Sequence, residues 1–280
     1  MKTIKKIAAL RKQLNEWRMA GDVIAFVPTM GNLHAGHMQL VAEAKAQADR
    51  VVVSIFVNPS QFGVGEDFSS YPRTEEEDNR QLAALSVDVV FLPDVSEIYP
   101  NVSVTTVSVS GVSESYCGKK RPGHFDGVAT VVSKLFNIVQ PHKAFFGEKD
   151  FQQLAVIRAM VDDLNFAIEI VAVAIVREES GLAMSSRNGY LTVQQREQAA
   201  HLYRLLCSAK KDILLGKNTL PEIEIQSLKQ LQSLGFDPEY FSVCRQSDLM
   251  PVTAEDKALI ILLAAKLGNT RLIDNIQIQR

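Results

Sequence analysis

The chain has 280 residues, enough for one large or two ordinary domains, and its 46% hydrophobic and 22% charged residues are the balance of a soluble globular protein. A formal net charge of -2 gives no footprint for nucleic acid, although a local basic pocket stays compatible with it. Cys117, Cys207 and Cys244 stand at wide spacing, neither a disulfide framework nor a zinc pattern, and fit a reducing cytoplasm. The first apolar run stops at Arg11, too short for a secretion signal, and none approaches a membrane span.

In chain order, Thr3 to Met19 reads as a helix, because Ile4, Ile7, Leu10, Leu14 and Trp17 recur at helical spacing. Val23 to Val27 and Val51 to Val57 are apolar almost throughout, as expected of strands buried on both faces. A helix is predicted from Met38 to Asp49, and another from about Glu75 to Leu85, where Thr74 and Glu77 have the spacing of a capping box. Val87 to Leu92 is a third strand and Val102 to Val109 a further candidate. Cys117 to Gly123 reads as a basic, glycine-containing loop, either a mobile surface segment or a substrate lid. A helix from His124 to Val139, a strand from Lys143 to Phe146, a helix from Phe151 to Leu164 and a strand from Ile168 to Val176 follow. Thr192 caps a long helix predicted from Val193 to Leu214. Beyond it come a helix at Leu220 to Leu234 and strand-like segments at Tyr240 to Val243, Leu259 to Leu267 and Leu272 to Ile278. The alternation predicts an α/β fold with a Rossmann-like, mostly parallel sheet covered by helices on both faces. Residues 1–176 form that domain, and residues 177–280 a smaller α+β domain placed to close over the site.

The stretch Val27-Pro28-Thr29-Met30-Gly31-Asn32-Leu33-His34-Ala35-Gly36-His37 joins the first long strand to a helix. Such a turn lies at the carboxyl edge of a parallel sheet, where ligands bind. Gly31 and Gly36 let a ligand approach the backbone, and the first helical N–H groups favour an anion. His34 and His37, three residues apart, can face one pocket there, and imidazoles beside helix N–H groups suit a polyphosphate. Three other loops reach the same edge. One carries Gln61, whose neutral amide can read a hydroxyl and a carboxylate. Gly147-Glu148-Lys149-Asp150 offers Lys149 for transition-state charge and Asp150 for Mg²⁺, although Asp150 and Gln153 are also spaced as a capping box. Met184-Ser185-Ser186-Arg187 is either a clamp for a leaving pyrophosphate or a solvated turn.

The histidine turn resembles the phosphate-binding signature of the nucleotidyltransferase superfamily. Over essentially its whole length the chain resembles the pantothenate synthetase (pantoate–β-alanine ligase) family. The resemblance rests on residues 28–37, on Phe56-Val57-Asn58-Pro59-Ser60-Gln61-Phe62, on Tyr71-Pro72-Arg73-Thr74 and on Arg121-Pro122-Gly123-His124-Phe125. It continues in Phe146 to Gln153, Met184-Ser185-Ser186-Arg187-Asn188 and Arg271-Leu272-Ile273-Asp274-Asn275. It implies a two-step ligase: pantoate is adenylated by ATP, pyrophosphate leaves, and the amine of β-alanine attacks the acyl carbon to give pantothenate and AMP.

The resemblance further implies that ATP is bound by Met30, Gly31, Asn32, Leu33, His34, Ala35, Gly36 and His37, by Gly147, Glu148, Lys149 and Asp150, by Val176, and by Met184, Ser185, Ser186 and Arg187. Gln61 and Gln153 would bind pantoate, with Gln61 also beside β-alanine, and His37 would donate a proton. The carboxylate is already ionised at pH 7, so the first step needs no strong base. His34, His37, Lys149 and Arg187 are then expected to act chiefly as electrostatic clamps. Mg²⁺, a homodimer and a cytoplasmic location complete the expectation. Competing readings are a cytidylyl- or adenylyltransferase, a scaffold with a decayed site and a tRNA synthetase. The amides of Gln61 and Gln153, the full set of charged residues and the net charge speak against them in that order.

Overall fold

The structure is a computed structural model that describes residues 1–63 and 65–280. The elements run β1 (Lys2–Ile4), α1 (Ile7–Met19), β2 (Ile24–Thr29), α2 (Ala35–Gln47), β3 (Arg50–Ile55), α3 (Glu75–Ala84), β4 (Val89–Phe91), α4 (Val95–Ile98), α5 (Tyr116–Lys120), α6 (His124–Val139), β5 (Lys143–Gly147), α7 (Phe151–Asp163) and β6 (Glu169–Val173). Then follow α8 (Val193–Ala199), α9 (His201–Leu214), α10 (Leu220–Ser233), β7 (Asp237–Arg245), β8 (Ala258–Leu267) and β9 (Thr270–Gln279). No helix among the described residues is long and apolar enough to cross a membrane.

Six parallel strands form one sheet in the order β1-β4-β3-β2-β5-β6, and β7, β8 and β9 form a separate antiparallel sheet. This is the predicted Rossmann-like arrangement with a small α+β portion after it. From β2 the chain winds first to β3 and β4, then crosses back to β5 and β6. The switch point therefore lies between β2 and β5, the place where such sheets hold ligands. The β2–β5 ladder spans only Ala25↔Lys143 and Phe26↔Ala144, whereas β2 stays paired with β3 as far as Thr29↔Ile55. The two strands part beyond Phe26, and a cleft opens between the turns that follow them.

Alternate residues of β2 serve two cores, which is why the strand is apolar throughout. Ile24 and Phe26 join Leu10, Phe136 and Met160 under α1, α6 and α7. Ala25 and Val27 join Val41, Leu82 and Phe145 under α2 and α3. The run in β8 has the same cause: Leu259, Ile261 and Leu263 pack against Leu206 and Leu231, while Ile260 and Leu262 meet Phe151 of α7.

Several sequence expectations are corrected. Thr3 and Ile4 belong to edge strand β1, not to the first helix, because they pair with Val90 and Phe91. Val102 to Val109 forms no strand: Val107 N–H donates to Thr130 Oγ1 of α6, and Val102 and Val104 stand in solvent. The predicted basic loop is partly the short helix α5. The long helix after Thr192 is two, because Ala200, with ψ −19°, tightens the turn between α8 and α9. The last strand of the large sheet ends at Val173, short of Val176. Neither Thr74 nor Asp150 caps its helix through its side chain, so both predicted capping boxes are absent. Thr74 Oγ1 instead donates to Asp78.

Candidate active site

The turn after β2 is built on a buried carboxylate. Asp78 of α3 is 1% exposed and accepts the backbone N–H groups of Asn32 (2.9 Å) and Leu33 (2.8 Å), one on each oxygen. Gly31 adopts φ +82°, and a Cβ there would lie 3.1 Å from Asp78 Oδ2 and 3.0 Å from Ile55, so both geometry and space call for glycine. Asn32 follows with φ 50°. The turn then feeds α2, whose N-cap is His34.

His34 Nδ1 accepts from Gly36 N–H at 3.1 Å, and His37 Nδ1 accepts from His34 N–H at 3.3 Å. A backbone donor at each Nδ1 leaves that nitrogen without a proton, so each neutral ring carries its proton on Nε2. The rings lie 4.1 Å apart. Burial, with Lys149 nearby, lowers His34 to about 4, and burial, with His34 and Lys149 nearby, lowers His37 to about 3. Near pH 7 in the free protein the two imidazoles are thus neutral, directed N–H donors. The Ala35 N–H group has no acceptor among the described residues, and it sits at the positive end of α2.

Across the gap, β5 delivers Gly147 to Asp150. Asn275 of β9, itself 2% exposed, donates through Nδ2 to the carbonyls of Glu148 (2.8 Å) and Lys149 (3.0 Å). Its neighbour Asp274 holds Arg177 in a bidentate pair at 2.7 and 2.9 Å. The C-terminal sheet therefore sets the backbone of the Lys149 turn. The ammonium of Lys149 and the carboxylate of Asp150 have no hydrogen-bond or ion-pair partner among the described residues, and both line the cleft. Among the described residues there is no cluster of three or more His, Cys, Asp or Glu side chains able to hold a metal unaided.

Gln61 is 8% exposed. Its Oε1 accepts from Asn58 Nδ2 at 3.2 Å, and among the described residues its Nε2 reaches only the thioether of Met30 at 3.0 Å. Asn58 is fixed in turn by Gly127 O (3.1 Å) and by Tyr99 (2.9 Å). Gln153 also lines the cleft, whereas Gln152 is structural and bonds the backbone at Val112, Ser115 and Cys117. The Met184 loop closes the remaining side. Met184 N–H donates to Val176 O at 2.9 Å, and Ser186 Oγ donates to Asn32 O at 3.0 Å, tying this loop to the histidine turn. Arg187 is held by Asp67 through two bonds of 2.9 and 3.1 Å.

The cleft has a volume of about 240 Å³. Of the predicted nucleotide residues it collects Met30, His34, Gly36 and His37 from one side and Gly147, Lys149 and Asp150 from the other. Val176, Met184, Ser185, Ser186 and Arg187 complete it, and Gln61 and Gln153 line it as well. Gly31, Asn32, Leu33, Ala35 and Glu148 do not line it. The first three shape the turn, Ala35 is exposed, and Glu148 contributes a carbonyl to Asn275. Sequence reasoning missed Asp78, hidden in an acidic first turn beside Glu75, Glu76 and Glu77, and Gly127, which looks like any helical glycine. It quoted Asn58 without giving it a role.

A Rossmann-like sheet with paired histidines, a free lysine and neutral amides at its switch point defines an enzyme of nucleotidyl-transfer type. The sequence profile of the pantoate-beta-alanine ligase family matches residues 2–277. Pantothenate synthetase of Alteromonas mediterranea is 52% identical, with all of both chains covered. Among solved structures, pantothenate synthetase from Thermus thermophilus superposes with a TM-score of 0.94 at 42% identity over all of both chains. Pantoate-beta-alanine ligase from Francisella tularensis, complexed with beta-gamma ATP and beta-alanine, gives 0.83 at 34% identity, covering 99% of this chain and 97% of that one. The chain belongs to the pantoate–β-alanine ligase family, and the ligase expected from the sequence is the activity of that family.

Proposed function

We propose that this cleft condenses pantoate with β-alanine at the expense of ATP, through pantoyl adenylate, and that the residues gathered at the switch point divide the work as follows. The observation that carries the reading is the pairing, across the β2–β5 gap, of two Nε2–H donors with an uncompensated lysine beside an amide left open to a neutral hydroxyl. The pantoate carboxylate attacks the α-phosphorus. An oxygen–phosphorus bond forms, the bond to the bridging oxygen breaks, and pyrophosphate leaves with that electron pair. His34 and His37 donate to phosphate oxygens, as does the Ala35 N–H at the start of α2. Lys149 balances the charge that grows in the transition state. Ser185, Ser186 and Arg187 take the pyrophosphate, which requires Arg187 to exchange Asp67 for phosphate. Gln61 and Gln153 orient pantoate, and Gln61 also lies beside β-alanine. The amine then attacks the acyl carbon, the acyl–phosphate oxygen bond breaks, AMP departs, and the amine proton goes to solvent.

Protonation of the departing pyrophosphate by His37 is a secondary contribution, since the free ring is neutral at pH 7 and gains proton affinity only from bound phosphate. Asp150 fits Mg²⁺ as one carboxylate among phosphate and water oxygens, the usual Mg²⁺ arrangement in nucleotide sites. The ion would supply charge neutralisation of the triphosphate. The C-terminal portion from residue 177 closes over the nucleotide, supported by the hold of Asn275 on the Glu148 and Lys149 carbonyls. A homodimer in the cytoplasm belongs to the same reading, on the strength of the family resemblance.

The test is isotope exchange between pyrophosphate and ATP with Mg²⁺ and pantoate, without β-alanine. Pantoate-dependent exchange is expected, and β-alanine should then draw the reaction to AMP and pantothenate. No exchange from folded protein removes the adenylate step and directs attention to phosphorylated acceptors.

A further inference from the structure

Beside the cleft lies a second cavity of about 410 Å³, and Arg121 stands at the border of the two. Sequence reasoning assigns Arg121 no role. Its guanidinium is filled by one side chain: Glu66 accepts two bonds of 2.6 Å, on Nε and Nη2. The remaining Nη1 meets His124 Nε2 at 2.9 Å, and Nη2 also reaches Gln61 O at 3.4 Å. Arginine only donates, so His124 Nε2 is an acceptor, and its Nδ1–H donates to Gln61 O at 2.8 Å. Arg121 is thus fixed against the backbone of the residue that orients pantoate. It is fixed by neutral partners, and the part of the fork that recognises a carboxylate faces Glu66.

Apart from Arg121, the Glu66 carboxylate takes a backbone hydrogen bond from Gly63 and has no other side-chain donor among the described residues. Glu66 sits in turns between Gly63 and Tyr71, outside helix and strand, and Gly65 before it takes φ +83°. Its carboxylate is a quarter exposed, against 14% for Arg121. Burial pushes the Glu66 carboxyl up, but the hold on Arg121, helped by the Gly63 backbone bond, outweighs it and lowers the carboxyl to about 2. Exchanging this carboxylate for another of the same geometry conserves both charge-assisted bonds and leaves no buried cation unpaired. The second substrate proposed above carries one carboxylate, two methylenes from the amine that must reach the acyl carbon beside Gln61.

We propose that Arg121 is the seat for the carboxylate of the incoming amino acid, and that Glu66 fills this seat in the free protein as an internal competitor which the substrate displaces. The inference rests on the ligase reading and adds to it the anchor for the second substrate. The larger cavity is the side from which the zwitterion arrives, and Arg121 lets it lie with its amine toward the cleft. A cation at this distance from the amine also selects against amines without a carboxylate.

Two constants on the intact protein test this: KM for pantoate in pyrophosphate exchange without β-alanine, and KM for β-alanine in AMP release at saturating ATP and pantoate. R121K, which keeps the charge and loses the fork, is expected to raise KM for β-alanine about 10- to 100-fold, and that for pantoate less than about threefold. E66Q is expected to lower KM for β-alanine about 3- to 10-fold, because a neutral amide competes poorly for a guanidinium. β-Alaninamide, which has the amine and no carboxylate, should show the same KM with wild type and E66Q. Equal shifts of both constants in R121K overturn the proposal, because Arg121 then only braces Gln61. An unchanged KM for β-alanine in E66Q overturns the competitor. Should R121K fail to fold, E66Q and the amide substrate decide alone. Absence of exchange in the wild type is a different failure, that of the adenylation reading.

Discussion

Gly127→Ala places one methyl group where α6 packs against Gln61, the residue proposed to orient pantoate. A Cβ at Gly127 would lie 2.6 Å from the Ser60 carbonyl carbon and 2.7 Å from Gln61 Cα, with Ser60 O closer still. All three are backbone atoms, so no rotamer change relieves the clash. Ordinary contact requires the Ser60–Gln61 turn to retreat from α6 by roughly 0.8–1.4 Å. Overpacking of this kind costs about 1–3 kcal/mol, and alanine's better helix propensity offsets about 1 kcal/mol of it. The net loss of about 0–2 kcal/mol leaves the protein folded, with Tm lowered by no more than about 8 °C. Activity suffers more, because the displaced residue is Gln61, whose amide is held between Asn58 and Met30. A misplacement near 1 Å costs on the order of 10²-fold in rate. The assay is the initial rate of pantoate-dependent pyrophosphate exchange, with Tm measured on the same preparation. Exchange at the wild-type rate in a folded Gly127→Ala protein would refute the claim that the α6–Gln61 contact sets the acid subsite.

Lys149→Ala should slow adenylation about 10²- to 10³-fold in single turnover, because the lysine side chain has no hydrogen-bond or ion-pair partner to lose among the described residues and its proposed role is to balance charge in the cleft; a wild-type rate would remove it from the chemistry. Asp78→Asn should lower stability by about 2–3 kcal/mol, since an amide cannot accept both the Asn32 and Leu33 N–H groups, and pyrophosphate exchange should fall with it. Unchanged denaturant and exchange data would show that the turn stands without the carboxylate. His34, His37 and His124 are held at about 4, 3 and 4, below the unfolded value of about 6.5. With folded pKa values depressed, the unfolded chain binds protons that the native state refuses. Stability should therefore fall as pH drops from about 6.5 toward 4, by up to about 1.4 kcal/mol per pH unit for each histidine. Glu66, held near 2, adds to the loss below about pH 4.5. A Tm of the free protein that stays level between pH 7 and pH 5 would contradict the neutral assignment of the three rings.

Local sequence determined the class of the protein and much of its site. The runs at Val23 to Val27 and Val51 to Val57 announced buried parallel strands, because a strand covered on both faces cannot alternate. The His34–His37 spacing placed two imidazoles on the first turn of a helix, and the cap geometry that fixes their tautomers is itself local. Tertiary structure decided whatever depends on partners distant in the chain. Thr3 and Ile4 are a strand only because β4 offers an edge, and Val102 to Val109 is not one because its backbone turns to Thr130. Asp78 is indistinguishable in sequence from the acidic residues before it, and becomes a structural carboxylate only when α3 packs under residues 32 and 33. Gly127 is required by the approach of Ser60 from more than sixty residues away, and the Lys149 turn is held by Asn275 from the far end of the chain. Periodicity and capping are written in neighbouring residues, so one chain read in order reveals them. Hydrogen bonds and close approaches across the fold have no local signature, and only the packed molecule brings those atoms together.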